Sequence, residues 1–254
     1  MERIGIIGVG EIGRAIVEGL CDGVEEPPEV FLSPRGAGAA AELSRRHRNV
    51  RVCVDNQDVA NRSDVVVIAV RPQDRSEALA ALRIGGDTVV ISLMAGVGIG
   101  ELRRTLGAVG PLVRAIPVPA VRERGSVTVT HPSHPVADAL FDRLGGVLPV
   151  ADEAAFNVFS ALTATVSTHY RFLATLTAWA SRQGVPAEDA DRYVRGLFQG
   201  VGRALDDGAS SLEQLAKEHE TPKGNNERIR TTWFDRSNSD ALTRALDGLL
   251  ADLK

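Results

Sequence analysis

Two kinds of hydrophobic pattern divide this chain. Up to about residue 150, short runs of aliphatic and β-branched residues recur, each closed by glycine, proline or small polar residues. Arg3–Ile7, Glu29–Ser33, Val50–Val54, Asp64–Val70, Asp87–Leu93 and Pro111–Ile116 read as strands. Asp64–Val70 (DVVVIAV) is apolar at successive positions, as in a parallel strand covered on both faces. Ser126–Thr130 alternates as a further strand, and Gly145–Val150 leads out of the sheet. Helical periods lie between the strands. Ile12, Ala15, Ile16 and Leu20 share one face, and Ala37–His47, Gln57–Arg62 and Val136–Leu144 follow. This alternation predicts an α/β, doubly wound and mostly parallel sheet over residues 1–150.

The pattern then changes. Asp152–Gln183 contains neither proline nor glycine, and Phe156, Phe159, Thr163, Val166, Tyr170, Leu173 and Leu176 recur at intervals of three and four. This predicts one helix of about 32 residues, ~48 Å long at 1.5 Å per residue. Gly184-Val185-Pro186 stops it. Glu188–Asp207, Ser211–Glu218, Asn225–Phe234 and Ser239–Leu250 read as further helices, so residues 151–254 form an all-α C-terminal domain. A helix that long cannot bury its apolar face within so small a domain. A symmetric homodimer through the helices is expected to cover it.

The stretch joining the first strand to the first helix carries Gly8, Gly10 and Gly13 in the spacing G-x-G-x-x-G. The first glycine permits a tight turn, the second lets a pyrophosphate approach the backbone, and the third lets helix pack on strand. Glu11 and Ile12 open the helix, whose N-terminal N–H groups and positive dipole end favour phosphate. The first domain is therefore expected to be Rossmann-like and dinucleotide-binding. The second strand ends Ser33-Pro34-Arg35, with no carboxylate for a ribose 2′-hydroxyl. A hydroxyl and a guanidinium suit a 2′-phosphate, so NADP(H) is expected in preference to NAD(H). Val70-Arg71-Pro72 and Ala95-Gly96 close two central strands at the sheet edge where ligands bind.

Composition narrows the classes. The 254 residues are 44% hydrophobic and 24% charged with a net charge of −4, which offers no general attraction to nucleic acid or anionic membrane. No run approaches the ~20 apolar residues of a bilayer span, and the first apolar run has no basic leader, so a cytoplasmic protein is expected. Cys21 and Cys53 suggest small core residues rather than a disulfide framework. His131 and His134 lack a nearby carboxylate or cysteine, and no metal site is expected.

The order of motifs resembles the pyrroline-5-carboxylate reductase family, which reduces a cyclic imine with NAD(P)H to make proline. Gly8, Gly10 and Gly13 match its phosphate loop. Ser33 and Arg35 fall where it reads the adenosine 2′-phosphate, and Asn56 matches an asparagine at the adenosine end. Ala69-Val70-Arg71-Pro72-Gln73 is similar to its Ala-Val-Lys-Pro-Gln, Ile91-Ser92 with Ala95-Gly96 to its Ile-Ser-x-x-Ala-Gly, and Arg114-Ala115-Ile116-Pro117 to its Arg-x-Met-Pro. The helical half departs further. Where the family has Ser-Gly-Ser-Gly-Pro-Ala-Tyr, this chain has Ala164-Thr165-Val166-Ser167-Thr168-His169-Tyr170. Its Ser-Pro-Gly-Gly-Thr-Thr becomes Thr221-Pro222-Lys223-Gly224-Asn225-Asn226.

The resemblance implies hydride transfer from nicotinamide to C=N. A protonated iminium accepts hydride readily, so a site for it chiefly positions C=N and excludes water. Asn225, Asn226, Thr221 and Ser167 offer polar groups to a carboxylate or imine nitrogen, and Lys223 a cation. His169 and Tyr170 lie where related imine reductases place a proton donor. A different imine or carbonyl substrate, or a non-catalytic NADP-binding regulatory protein, remain alternatives because the substrate motifs are altered. A β-hydroxyacid dehydrogenase needs an interdomain lysine, and Lys217, Lys223 and Lys254 are the only lysines. Short-chain dehydrogenases need Tyr-x-x-x-Lys, but Ala174 and Leu197 follow Tyr170 and Tyr193 at that spacing.

Overall fold

The computed structural model describes residues 3–107, 110–206 and 208–253. Its elements are β1 Arg3–Ile7, α1 Glu11–Cys21, β2 Glu29–Leu32, α2 Ala37–Arg46, β3 Val50–Val52, α3 Asn56–Arg62 and β4 Val65–Ile68. Then come α4 Arg75–Leu79, β5 Val89–Ser92, α5 Ile99–Leu106, β6 Leu112–Ile116, β7 Thr128–His131, α6 Pro135–Asp142 and β8 Val147–Pro149. The helical series is α7 Glu153–Thr163, α8 Thr165–Arg182, α9 Ala187–Ala204, α10 Leu212–Glu218, α11 Asn225–Trp233 and α12 Arg236–Asp252. Asp207, the expected end of the second long helix, lies outside the described residues.

The strands form one sheet in the order β3-β2-β1-β4-β5-β6-β7-β8, parallel except where β7 runs against β6. Pleat alternation sends Val65 and Val67 into a core with Ile16 of α1, Leu43 of α2 and Phe141 of α6. Val66 and Ile68 enter a second core with Val59 of α3, Leu79 of α4 and Leu102 of α5. Covering both faces is what the unbroken apolar run in β4 requires. The Rossmann-like sheet and helical C-terminal region follow the expected fold class.

Packing divides the chain into two compact units. One runs to Thr163 and takes in Leu253; the other is Ala164–Asp252. The division falls later than the change of sequence character at 150. The reason is α7, which buries Phe156, Asn157 and Ala161 within the first unit. The expected single helix over Asp152–Gln183 is instead two helices. The break lies at Ala164, whose ψ of −14° is tighter than an α-helical residue's, amid the β-branched Thr163, Thr165 and Val166. Val147–Pro149 is also a correction: it pairs in parallel with β7 as an eighth strand rather than leaving the sheet.

Helix α1 is clamped against the 3-10 turn Pro119–Glu123. A Cβ on Gly19 would lie 2.3 Å from Val121 O, so glycine alone permits this approach. Arg124 donates from Nε to Gly19 O at 2.9 Å and from Nη2 to Asp22 O at 2.6 Å. Glu18 is buried on this face and accepts from Arg14 Nε at 3.0 Å and from Arg122 Nε. Burial pulls its carboxyl upward, but the hydrogen bonds from the two arginines outweigh that and hold it below the ordinary glutamate range. A carboxyl depressed by folding contributes stability above its unfolded pKa and loses it as pH falls through the folded value. Glu18→Gln is therefore expected to lower the melting temperature near neutral pH. Its deficit relative to wild type should shrink below about pH 4, where the free carboxyl protonates. Thermal melts at stepped pH check this, and a constant deficit would remove Glu18 from the acid response.

In the helical unit, Phe172 of α8 stacks on Trp233 of α11 at 5.2 Å between centroids and meets Phe198 of α9 edge-on at 5.6 Å. Beyond this cluster the unit buries little. Helices α8, α10, α11 and α12 contribute no buried residue, and Tyr170, Trp179, Tyr193, Leu212 and Ile229 are exposed. Among the described residues no helix is long and apolar enough to cross a membrane.

Candidate dinucleotide site and helical polar groups

Strand order reverses between β1 and β4, and Ile7 pairs with Ile68 there, so both strands end at the same level. A crevice at such a switch point, at the carboxyl edge, is where open α/β sheets bind nucleotides. A cavity of about 380 Å³ opens there, lined by Gly8, Ser33, Arg35, Asn56, Val70 and Glu77 among others.

Each loop glycine has a separate geometric reason. Gly8 has φ +102°, and a Cβ there would lie 2.7 Å from Ala69 O. A Cβ on Gly13 would lie 2.3 Å from Gly8 O, so α1 can start this close to the turn only with glycine. A Cβ on Gly10 would meet nothing within 4 Å. Gly10 caps α1 without any side-chain hydrogen bond, and Glu11 and Ile12 follow in the first turn. Unpartnered N–H groups at a helix start, with open space over the backbone, fit a pyrophosphate.

Ser33 and Arg35 are both at the cavity but do different things. Ser33 is buried, and its Oγ accepts from Gly8 N at 2.9 Å, which ties the end of β2 to the glycine loop. The residue read as a phosphate ligand thus also anchors the glycine loop. Arg35 is half exposed, and Gly36 after it takes φ +88° close against Val9 O. Its Nη1 donates to Glu77 Oε2 at 3.0 Å, and its Nη2 lies 3.6 Å from Asp74 Oδ1. Arg71 Nε donates to Asp74 Oδ2 at 2.8 Å and, by that hydrogen bond above all, holds the Asp74 carboxyl below its ordinary range. Asn56 Nδ2 donates to Ala78 O at 3.0 Å, and Gln57 exchanges hydrogen bonds with the backbone of Arg83, so α3 braces the far wall. Pro72 opens the turn that carries Asp74. Ala95 and Gly96 are exposed in the turn after β5, with Gly96 at φ +69° and open space over it.

Glu77 and Asp74 were not among the candidates read from the sequence. The available signal was two carboxylates within the turn and short helix after Arg71-Pro72-Gln73, the strand end that faces the β2 terminus across β1.

The remaining candidates lie in the helical unit. Ser167, His169 and Tyr170 are exposed on α8, and the His169 ring meets Phe198 edge-on at 6.0 Å. Gly224 N donates to Thr221 O at 2.7 Å, closing a turn with Pro222 second and Lys223 third. Lys223 takes φ +61° there, the left-handed conformation that the third position of a type II turn requires. Helix α11 starts directly after, with Asn225 and Asn226 exposed in its first turn. Asn226 Nδ2 donates to His219 O at 2.7 Å, so its side chain braces the turn, and Glu227 accepts from Lys223 N. The structure thus brings Thr221, Lys223, Asn225 and Asn226 together at one helix start.

Residues 3–96 match the family described as NADP oxidoreductase coenzyme F420-dependent. Pyrroline-5-carboxylate reductase 2 of Bacillus subtilis (strain 168) is 24% identical over 257 aligned residues, covering 97% of this chain and 92% of its own. The structure of 1-pyrroline-5-carboxylate reductase from Streptococcus pyogenes superposes with a TM-score of 0.79 at 22% identity, covering 98% of both chains. That of the Plasmodium falciparum pyrroline carboxylate reductase, with NADP bound, gives 0.82 at 17% identity over 100% of this chain and 97% of its own. From its glycine loop to its helical half, this chain is similar in sequence to the pyrroline-5-carboxylate reductases and shares their fold.

Proposed function

We propose that this protein is an NAD(P)H-dependent reductase of a cyclic imine of the pyrroline-5-carboxylate type. The observation that carries the reading is the switch-point cavity with its glycine loop, joined to a likeness that runs the length of the reductases. Gly8, Gly10, Glu11, Ile12 and Gly13 hold the pyrophosphate. Ser33, Arg35 and Asn56 shape the adenosine end, and Val70, Arg71, Pro72, Ala95 and Gly96 flank the nicotinamide side. The nicotinamide, when bound, supplies the hydride. The chain's own residues bind, orient and exclude water.

Lys223 and the N-terminal turn of α11, with Thr221, Asn225 and Asn226, suit a substrate carboxylate, because a cation and a helix start both favour an anion. Ser167 offers a further hydroxyl. His169 and Tyr170 serve as candidate proton donors to the imine nitrogen. NADP(H) is the preferred cofactor on the strength of Arg35. The uncovered apolar faces of α8 and α11 are matched by a second copy in a homodimer, and the enzyme works in the cytoplasm.

One observation favours a second reading. Asn225 and Asn226 replace the hydroxyl residues the family presents, which suits another imine or carbonyl compound. NADPH oxidation followed by absorbance against pyrroline-5-carboxylate and a panel of imines and ketones is the test. Turnover of pyrroline-5-carboxylate is the expected result. Turnover only of another compound reassigns the substrate, and cofactor binding without any turnover identifies a regulatory protein.

A further inference from the structure

We propose that Glu77, with Asp74 behind it, sets the cofactor selectivity of this site by competing for Arg35. The proposal rests on the reading that the cavity takes the adenosine end of a nicotinamide dinucleotide.

Arg35 lies in the cavity wall already paired. Both of its terminal nitrogens face carboxylates, Glu77 at 3.0 Å and Asp74 at 3.6 Å. Asp74 is fixed in turn by Arg71, so the rim alternates Arg71, Asp74, Arg35 and Glu77 and carries no net charge. Glu77 itself lines the cavity. A rim built only to read a 2′-phosphate would leave the guanidinium facing an empty pocket. Here a phosphate dianion must displace Glu77 from Arg35 and tolerate its charge nearby. A ribose 2′-hydroxyl meets the opposite situation, because a carboxylate accepts from it and Arg35 stays neutralised. One cavity thus holds a reader for each cofactor, bound to each other. Glu77 is more exposed than Arg35 and, among the described residues, has no second cationic partner, so it is the member free to swing away.

The competition predicts opposite shifts from opposite variants. Glu77→Gln keeps size and hydrogen bonding but removes the charge, and an exposed pair of this kind couples by up to ~1 kcal/mol, or about fivefold in an equilibrium. Calorimetric titration with NADPH, NADH, 2′,5′-ADP and 5′-AMP measures it without turnover. Glu77→Gln is expected to tighten NADPH and 2′,5′-ADP about fivefold while leaving NADH and 5′-AMP equal or weaker. Arg35→Gln is expected to weaken only the 2′-phosphorylated pair. The Glu77 effect should shrink as salt is raised. An unchanged NADPH-to-NADH ratio in Glu77→Gln, or equal weakening of all four ligands, overturns the inference while the cofactor reading stands. Failure of wild type to bind either dinucleotide overturns that reading itself.

Discussion

Gly13→Ala is expected to weaken NADPH binding about a hundredfold and to lower the melting temperature of the cofactor-free protein by roughly 4–8 °C. The added methyl would lie 2.3 Å from Gly8 O, closer than any real contact, and the obstacle is backbone rather than a flexible side-chain end. The start of α1 must therefore retreat from the turn after β1. That carries the helix N–H groups away from the proposed phosphate position and loosens Ala15 and Ile16, both fully buried beneath. Overpacking of this kind costs about 2 kcal/mol. Gly10→Ala separates the two effects. Its methyl would meet no protein atom within 4 Å, so the cofactor-free fold should change by no more than about 0.5 kcal/mol. The same methyl fills the space over the backbone that a pyrophosphate needs, so NADPH affinity should still fall about tenfold or more. Melting curves with and without NADPH, beside a fluorescence titration, read both quantities. A folded Gly13→Ala protein with wild-type affinity, or a Gly10→Ala protein that binds normally, would show that the phosphate lies elsewhere.

This pair of glycines illustrates what the sequence made legible. The spacing of Gly8, Gly10 and Gly13 states both the turn and the packing demand, because each requirement is local and only glycine meets it. The apolar run of β4 was equally plain, since a strand buried on both faces with no polar position has nothing to confuse its period. Other features were hidden for physical reasons. Val147–Pro149 is three residues long and follows Gly145-Gly146, so its pairing with β7 is set by the sheet edge and not by its own pattern. The break at Ala164 leaves no glycine or proline, because the residue stays in the right-handed helical region. Ser33 reads as a phosphate ligand by position. That its hydroxyl is turned inward to Gly8 N depends on how closely β2 and the loop approach. Glu77 was invisible for a related reason: its pairing with Arg35 spans 42 positions of sequence.

Arg114 did leave a signal, because a charged residue inside Leu112-Val113-Arg114-Ala115-Ile116 must find a partner once β6 is buried. It finds Glu153 at the start of α7. Arg114 Nη1 donates to Glu153 Oε1 at 3.2 Å and lies 3.4 Å from Asn157 Oδ1, while the guanidinium covers the Phe156 ring at 4.2 Å. Glu153 Oε1 also accepts from Ile99 N at 2.9 Å, so one carboxylate ties α7 to both β6 and α5. The pair is asymmetric: the Arg114 side chain is 3% exposed and that of Glu153 43%. Burial pulls the Arg114 guanidinium below its usual range, with Glu153 opposing that shift. Removing Glu153 leaves a buried cation that water cannot reach, whereas removing Arg114 leaves a carboxylate that water can solvate. Glu153→Ala is therefore expected to cost about 3 kcal/mol, some 6–12 °C in melting temperature, and Arg114→Met only about 1 kcal/mol. The double variant Arg114→Met/Glu153→Ala should be more stable than Glu153→Ala alone, with the two changes coupled by about 1–3 kcal/mol. Urea denaturation of the four proteins closes the cycle. If the two changes add independently, or if Arg114→Met is the more damaging, then the buried cation is not what makes Glu153 necessary, and its tie to Ile99 N carries the attachment of α7.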